Sequence, residues 1–473
     1  IPSSQPDFLT AAKFVDALLE TGVTVHRATA DFSHGGKSYP AGSFVVTSAQ
    51  PFRAHVLDMF EPQDHPDDIA YPGAAPTAPY DNAGWTLAFQ MGVQFDRILD
   101  NLTGPFEKIS GLVAPRPAGR IAGSGSAGFV LDPRVNDSFR AVNRMLAAGH
   151  DVYRLSTPWS AGGTSLPAGA FFVTQRGSAR ADLQRIVSET GLTVTATSSR
   201  PAGEHTKLEP IRVALFDRYG GMMPSGWTRW IFEQFDVPFD VVYPQNLDAG
   251  DLKSKYDAIV FVSGSIPAAQ AGQGGGFGGG QGGGNDDTPA EFRHMLGSVT
   301  ADRTIPQLRR FLEAGGSVIT IGSATNLAQH LGLPVTSALV ETVDGETRPL
   351  PRAKYYIPGS VLEVKVDNTL PVAFGLGDRA DVFYDNSPVF RITNGAAGVR
   401  PIAWFDSKSP LRSGWAWGED VLEGAVAMAE ADVGRGKLFL FGPEVLFRAQ
   451  PHGTFKLVFN GLYATAGQPA RIR

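Results

Sequence analysis

Residues 306–326 read PQLRRFLEAGGSVITIGSATN, a succession that predicts one helix, one strand and one tight turn. A proline near the start and the pair Gly315-Gly316 near the end are typical boundaries of an α-helix. The run from Ser317 to Gly322 has the length and the β-branched content of a buried strand. A helix followed directly by an apolar strand indicates a parallel sheet with helices packed on its faces.

The same alternation of strands and helices continues from residue 211 almost to the C-terminus. The predicted strands are Ile211 to Phe216, Asp257 to Val262 and Lys437 to Gly442, and the further helices are Trp227 to Phe235 and Thr454 to Ala464. This alternation predicts a doubly wound, mostly parallel sheet for residues 210–467. The glycine-rich segment 270–285 within it has too little apolar surface to fold, so we expect a mobile loop there.

An internal repeat occupies the N-terminal part of the chain. A shift of 127 residues, which places Gly22 on Gly149, aligns residues 10–57 with residues 137–184 without a gap. Other matches are Arg27 with Arg154, and Pro40-Ala41-Gly42 with Pro167-Ala168-Gly169. Both copies have the pattern of a helix, a strand, a Gly-Gly turn, a strand and a helix. We therefore predict two small α/β units, at residues 1–57 and 127–205.

Residues 58–126 lie between the two units and are rich in proline and glycine. Five prolines fall between residues 62 and 79, which predicts an extended arm over a surface and no packed domain of its own. The chain begins Ile1-Pro2-Ser3-Ser4, without an initiator methionine. The first strand of unit 1 would fall on these residues, so we expect that strand to be truncated and the sequence to be cut from a longer polypeptide.

Composition excludes several classes of protein. The chain of 473 residues is too long for one ordinary core, and its 42% hydrophobic content is normal for a globular protein. A net charge of −6 gives no reason to expect nucleic acid as a partner. No apolar run approaches the roughly 20 residues that span a bilayer. The absence of cysteine excludes thiol nucleophiles, disulfides and Cys-ligated zinc.

The histidines give no sign of a metal site. None of the nine begins a His-x-x-Glu pair. The nearest approach is His-x-x-Asp spacing, at His55 with Asp58 and at His65 with Asp68. A catalytic zinc site needs three protein ligands, and the second pair lies in a proline-rich loop with no third ligand nearby. We therefore predict no metal or cofactor site in this chain.

Ser323 is the candidate nucleophile. It lies in the turn after the strand from Ser317, which resembles the turn where class I glutamine amidotransferase-like sheets carry a catalytic cysteine. In those sheets a base often lies in a Phe-His-Pro-Glu turn, and Phe441-Gly442-Pro443-Glu444 resembles that turn with glycine in place of the imidazole. A serine needs a neighbouring base. His452 and Glu444 could complete a serine hydrolase site with Ser323, or the turn could be purely structural.

Aromatic and arginine residues form a second set of candidates. Trp227, Arg229, Trp415 and Arg448 could line a cleft for a peptide or a cell-wall fragment. Arginine binds carboxylates in a bidentate fashion, and tryptophan offers a large apolar face. The alternative for the tryptophans is packing in the core, the commoner fate of tryptophan on an amphipathic helix.

Several passages along the chain resemble the C-terminal region of bacterial zinc carboxypeptidase (carboxypeptidase A) family proteins. They include Tyr39-Pro-Ala-Gly-Ser-Phe-Val-Val, Tyr80-Asp-Asn-Ala-Gly-Trp-Thr-Leu, Gly226-Trp-Thr-Arg-Trp, Asp385-Asn-Ser-Pro and His452-Gly-Thr-Phe-Lys-Leu. The resemblance implies a periplasmic or secreted protein whose N-terminal domain holds zinc through a His-x-x-Glu pair and a distant histidine. None of those ligands maps to this sequence. The chain would then be a non-catalytic accessory portion, with that carboxypeptidase domain as its partner.

Overall fold

The computed structural model describes residues 1–80, 85–161, 163–269, 288–393 and 396–472. The glycine-rich segment predicted at 270–285 lies outside the described residues. The predicted α/β fold class, with two small units ahead of a doubly wound sheet, is confirmed. Within the described ranges, no helix combines the length and the apolar character that a membrane crossing requires.

Unit 1 is built on a long amphipathic helix. The side chain of Asp7 caps this helix by accepting a hydrogen bond from the backbone N–H of Thr10 at 3.1 Å. The elements of the unit are α1 (Phe8–Glu20), β1 (Val25–Ala28), β2 (Phe32–His34), β3 (Lys37–Tyr39), β4 (Phe44–Val46) and α2 (Arg53–Phe60). Most of their buried apolar side chains belong to one hydrophobic core, whereas Leu9 of α1 packs in the main core of the chain.

Unit 2 repeats this order of elements and adds strands at both sides. Its elements are β7 (Gly128–Leu131), α4 (Asn136–Ala147), β8 (Val152–Arg154), β9 (Trp159–Ala161), β10 (Thr164–Leu166), β11 (Phe171–Thr174), α5 (Ala179–Thr190), β12 (Thr193–Thr197) and β13 (His205–Leu208). The register is also repeated: Val25 pairs with Val46 in unit 1, and Val152 pairs with Val173 in unit 2. The gap-free sequence match therefore corresponds to one fold present twice.

The segment 58–126 is more integrated than an arm lying over a surface. It contains α3 (Leu87–Gln90), β5 (Phe106–Lys108) and β6 (Arg120–Ala122). Strand β5 pairs with β1, and β6 pairs in parallel with β12, so the segment extends the sheets of both units. Met91 also packs in the core of unit 1. The prolines keep the segment from forming its own domain, but the strands between them find partners in the flanking units.

The large domain begins with a parallel α/β arrangement. Its first elements are β14 (Val213–Phe216), α6 (Met223–Gln234), β15 (Phe239–Val242), α7 (Pro244–Asp248), α8 (Leu252–Lys255), β16 (Ala258–Phe261), α9 (Thr304–Glu313), β17 (Ser317–Ile321) and α10 (Leu327–His330). Near the C-terminus, β27 (Gly436–Phe441) completes the parallel part. The order β15-β14-β16-β17-β27 is that of a flavodoxin-like doubly wound sheet.

Beyond β27 the sheet continues with antiparallel strands, an extension that is absent from the predicted parallel sheet. The remaining elements are β18 (Val335–Ser337), β19 (Val340–Val343), β20 (Glu346–Pro349), β21 (Ser360–Val366), β22 (Arg379–Tyr384), β23 (Phe390–Ile392), β24 (Val399–Trp404), β25 (Leu411–Ser413), β26 (Val426–Val433), α11 (Phe455–Leu462) and β28 (Gly467–Ala470). Strands β26, β24, β21 and β22 follow β27 in the sheet. Strand β28 instead pairs with β13 and joins the sheet of unit 2.

Buried polar contacts join both units to the large domain. The backbone N–H of Asn136 donates to Asp7 Oδ2 at 3.0 Å, and its side-chain Nδ2 donates to the carbonyl oxygen of His452 at 2.9 Å. Lys456 on α11 is only 5% exposed, and its Nζ donates to Asn136 Oδ1 at 2.8 Å. Asn136, fully buried at the start of α4, therefore links unit 1, unit 2 and α11.

Candidate functional site

Polar side chains follow four of the five parallel strands of the large domain, within three residues of each strand end. Asp217 follows β14, Ser263 follows β16, Ser323 follows β17 and Glu444 follows β27. Parallel strands end at one edge of a sheet, and doubly wound folds bind ligands outside this carboxyl edge, where the strand order reverses. The reversal here lies between β14 and β16. This edge is therefore the candidate functional site.

Gly322 makes room for two of these side chains to meet. Its φ of +57° is in the left-handed region that favours glycine. A Cβ placed there would lie 2.2 Å from Glu444 Oε1 and 2.5 Å from Ser263 Oγ. Only a residue without a side chain therefore allows the carboxyl group and the hydroxyl group to converge over the end of β17.

We predict that Gly322→Ala lowers the free energy of unfolding by about 2 kcal/mol, because it adds both backbone strain and steric overlap. Gly332→Ala is the matched control: Gly332 also has a positive φ, of +67°, but nothing lies within 4 Å of its Cβ position. The control should lose only the strain component, about 1 kcal/mol. Denaturant unfolding of both variants provides the measurement, and equal losses would contradict the account of a crowded site.

The hydroxyl group of Ser323 is already engaged by its neighbours. Ser323 Oγ accepts a hydrogen bond from the backbone N–H of Gly264 at 2.8 Å and lies 3.3 Å from Ser263 Oγ. The backbone N–H of Ser323 donates to Ser263 Oγ at 3.2 Å. Ser263 was not singled out in the sequence, since it precedes Ser323 by 60 residues and carries no recognisable pattern. The structure thus places a second serine, and no imidazole, against the candidate nucleophile.

His452 does not complete a catalytic site with Ser323. No hydrogen bond among the described residues joins the two side chains; the imidazole stacks on Phe455 with ring centroids 4.6 Å apart. Burial, and then the positive charges of Lys13 and Lys456, lower the pKa of His452 to about 3. The side chain is therefore neutral at physiological pH and packed at the junction between unit 1 and α11.

The position that resembles a catalytic histidine is closed by backbone. A Cβ at Gly442 would lie 2.1 Å from the carbonyl oxygen of Pro388 and 2.7 Å from that of Ala427. Both contacts are with main-chain atoms of the antiparallel strands and their connections, which cannot move independently of the sheet. The glycine in Phe441-Gly442-Pro443-Glu444 is thus a packing requirement of this fold, and no side chain fits there.

A small cleft opens at the same edge, between α6 and the segment after β27. About 40 Å³ of it is accessible to the centre of a water molecule, and its lining residues are Met223, Pro224, Trp227, Thr228, Val262, Ile321, Glu444, Leu446, Phe447 and Arg448. The lining is mostly apolar with a few polar groups, which is the composition of small-molecule sites. The cleft combines three of the sequence candidates: Trp227, Glu444 and Arg448.

Glu444 is the acidic group of the cleft. Burial raises its pKa to about 7, the nearby hydroxyl of Ser263 lowers it in part, and the charge of Asp385 raises it further. Among the described residues, Glu444 takes part in no ion pair. The carboxyl group is therefore poised between its neutral and charged forms at physiological pH, which is common at functional sites.

The four predicted binding residues have different surroundings. Trp227 is 38% exposed at the cleft, and Arg448, at its rim, lies 5.2 Å from the centroid of the Phe447 ring. Arg229 does not line the cleft, and its Nη2 pairs with the buried Asp217 at 2.8 Å. Trp415 is only 3% exposed and does not line the cleft.

Trp415 is a structural residue instead. Its indole Nε1 donates to Asp67 Oδ1 at 2.8 Å, and its backbone N–H donates to Ser360 Oγ at 2.8 Å. These contacts fix the proline-rich segment against β21 and β25. Trp415 thus has the buried contacts expected of core packing, the alternative to a binding role.

The described ranges contain no group of three or more His, Asp or Glu side chains arranged to hold a metal ion. His65, of the His-x-x-Asp spacing, contacts the carbonyl oxygen of Pro66 through Nδ1 at 2.9 Å. His55 contacts the hydroxyl of Thr21 through Nε2 at 3.0 Å. Each histidine is thus occupied by an ordinary polar contact.

Comparison with known proteins gives structural neighbours at low similarity. No family model matches the chain, and no curated protein matches it. A ThuA-like protein from Bacteroides uniformis superposes with a TM-score of 0.29 and 12% identity over 57% of this chain and 94% of its own. A GMP synthase subunit from Thermoplasma acidophilum gives 0.30 and 14% over 54% and 94%. PurLQS from Thermotoga maritima gives 0.31 and 14% over 53% and 98%. At these TM-scores the neighbours establish no function.

Proposed function

We propose that this chain is a non-catalytic accessory region that binds peptide in the cleft formed by Met223, Trp227, Glu444, Phe447 and Arg448. The single observation that carries the proposal is the division of roles at the carboxyl edge. The cleft is lined by an exposed tryptophan and by an acid, whereas the Ser323 hydroxyl is not among its lining groups and is held by Ser263 and Gly264.

Acyl transfer would need a base beside the hydroxyl group and backbone donors aimed at the oxyanion. The imidazole of His452 is elsewhere, and the site of Gly442 admits no side chain. The backbone N–H of Ser323 is itself used by Ser263 Oγ. These contacts favour binding over hydrolysis.

The chemistry of the cleft favours a peptide as the ligand. The cleft offers an aromatic face, a flexible methionine, the acid Glu444 at its floor and the cation Arg448 at its rim. These groups match the mixed apolar and polar character of a residue in a short peptide. The narrow cleft, with about 40 Å³ accessible to the centre of a water molecule, suits a terminal group or a small side chain of a peptide and not a folded partner. Association with a zinc carboxypeptidase domain, in the periplasm or outside the cell, is part of the proposal and rests on the sequence passages quoted above.

Binding without turnover is the test. The purified protein is incubated with short peptides, glutamine and simple carboxylic esters, and mass spectrometry follows their fate while equilibrium dialysis follows retention. We expect peptides to be retained and recovered intact. Hydrolysis of any of these compounds that Ser323→Ala abolishes would overturn the proposal in favour of a serine hydrolase.

The proposed parent protein has a test of its own. The coding sequence upstream of Ile1 is expected to specify a domain with a His-x-x-Glu pair and a third, distant histidine. An unrelated upstream domain would refute the carboxypeptidase assignment and leave the peptide-binding proposal to the binding experiment.

A further inference from the structure

We propose that Glu444 binds an ammonium group of the ligand, such as the amino terminus of a peptide, at the floor of the cleft. This inference rests on the proposed peptide-binding function and specifies which end of the ligand the cleft recognises. Its basis is an acid that lines a cleft next to an exposed indole and has no cation as a partner among the described residues.

The charges around Glu444 leave its carboxylate without a counter-ion in the described part of the chain. The hydroxyl groups of Ser263 and Ser323 lie at the neighbouring strand ends. Asp385, which follows β22, carries the same charge as Glu444. A carboxylate in such a place is costly unless it is paired. A ligand that brings a positive charge would supply the missing partner.

The cationic residues near the cleft are directed elsewhere. On α6, Arg229 is paired with Asp217 at 2.8 Å. Arg448 is exposed at the rim and lies over the Phe447 ring. Its charge lowers the pKa of Asp385 in part. Neither arginine forms an ion pair with Glu444 in the part of the chain that the structure describes. The position facing the acid thus remains open to a cation of the ligand.

The wall of the cleft also suits an ammonium group. Trp227 lines the cleft and is the aromatic residue best able to attract a cation through its ring face. Phe447 contributes less, because its ring is stacked on Phe383 with centroids 4.0 Å apart. A primary ammonium group between the indole of Trp227 and the carboxylate of Glu444 would make both a cation–π contact and a charge-assisted hydrogen bond.

Binding should release a proton from the protein. The free carboxyl group is largely protonated below pH 7, whereas an ammonium ligand favours the carboxylate form. The proton lost from Glu444 passes to the buffer, and no covalent bond changes within the ligand. Affinity should therefore rise between pH 5.5 and 7, a range in which a peptide amino terminus stays mainly protonated, since its usual pKa is about 7.7–8.0.

The experiment is calorimetric titration of trialanine and N-acetyl-trialanine at pH 6.5 in two buffers of different ionisation enthalpy. We expect trialanine to bind at least about tenfold more tightly than N-acetyl-trialanine and its binding to release a proton to the buffer. Glu444→Gln keeps the shape of the side chain and should remove both the preference and the proton release. Asp385→Asn is the control for the preference, which it should retain because Asp385 does not line the cleft; its proton release should be smaller, because the charge of Asp385 raises the pKa of Glu444.

The possible results separate this inference from the function on which it rests. Equal affinity for the two peptides, or tighter binding of the acetylated one, would overturn the ammonium assignment while peptide binding stands. The protein could instead prefer trialanine with a free carboxyl terminus over its amidated form. If Arg448→Gln abolished that preference, the cleft would bind the carboxyl end of the peptide and not its amino end. Binding of neither peptide would overturn both proposals.

Discussion

Replacing Gly442 with alanine is expected to lower the free energy of unfolding by about 3 kcal/mol, at the upper end of the usual cost of overpacking. The added Cβ would lie 2.1 Å from the carbonyl oxygen of Pro388 and 2.7 Å from that of Ala427. Relief requires separating main-chain segments in the middle of the large sheet. Urea unfolding followed by circular dichroism measures the loss.

Gly226→Ala is the matched control for this prediction. Gly226 likewise has no positive φ, and nothing lies within 4 Å of its Cβ position in α6. Alanine there should be neutral or slightly stabilising, because it favours the helix. A Gly442→Ala protein as stable as wild type would show that the position can accept a side chain and that the backbone around it does not exclude a catalytic histidine.

Replacing Asn136 with alanine should cost about 3 kcal/mol of unfolding free energy, since it leaves a buried charge without its nearest partner. The amide group accepts from Lys456 Nζ at 2.8 Å and donates to the carbonyl oxygen of His452 at 2.9 Å. With the amide gone, the carboxylate that pairs with Lys456 is that of Asp7, at the longer distance of 3.8 Å. The loss should appear in denaturant unfolding of the whole chain.

A double variant and a surface control sharpen this second prediction. Asn136→Ala combined with Lys456→Met removes the stranded charge as well as its partner, so it should be more stable than Asn136→Ala alone. Asn101→Ala, at an exposed position, should change stability by less than about 0.5 kcal/mol. If the loss of unfolding free energy in the double variant equals the sum of the losses in Asn136→Ala and Lys456→Met, the contact between Asn136 and Lys456 is not the reason that Asn136→Ala is destabilised.

The parallel half of the large sheet could be predicted because its strands are apolar on both faces. Strand β17 is buried at all five residues, and β16 at all four, so each appears in the sequence as an unbroken apolar run next to a glycine turn. The repeated units were equally accessible, because a gap-free match preserves element lengths and strand register.

The antiparallel extension was missed for a different physical reason. Strand β24 includes Pro401 and exposed Arg400 within its six residues, so its pattern is interrupted, and its register with β26 shifts twice. Strand β21 does alternate, with exposed Lys365 between buried Val364 and Val366, and this pattern does indicate a strand. Its partners, however, are fixed by tertiary packing that local patterns do not contain.

The candidate site shows the same limit at the level of single residues. Ser323 and Glu444 could be found because each follows a predicted strand. Ser263 could not, because its importance comes only from its contact with Ser323 across 60 residues of chain. Likewise, the aromatic content of the chain does not distinguish Trp227, which lines the cleft, from Trp415, which is 3% exposed and holds Asp67.

The measurement that tests the central claim most directly is calorimetric titration of trialanine into wild-type protein, Trp227→Ala and Trp230→Ala. Both tryptophans lie on α6 and are similarly exposed, at 38% and 45%, but only Trp227 lines the cleft. We predict that wild type binds one peptide per chain. Trp227→Ala should bind it at least about tenfold more weakly, because aromatic anchors dominate such contacts. Trp230→Ala should bind it with the affinity of wild type. Peptide affinity that is equal in all three proteins would contradict the assignment of this cleft as the binding site.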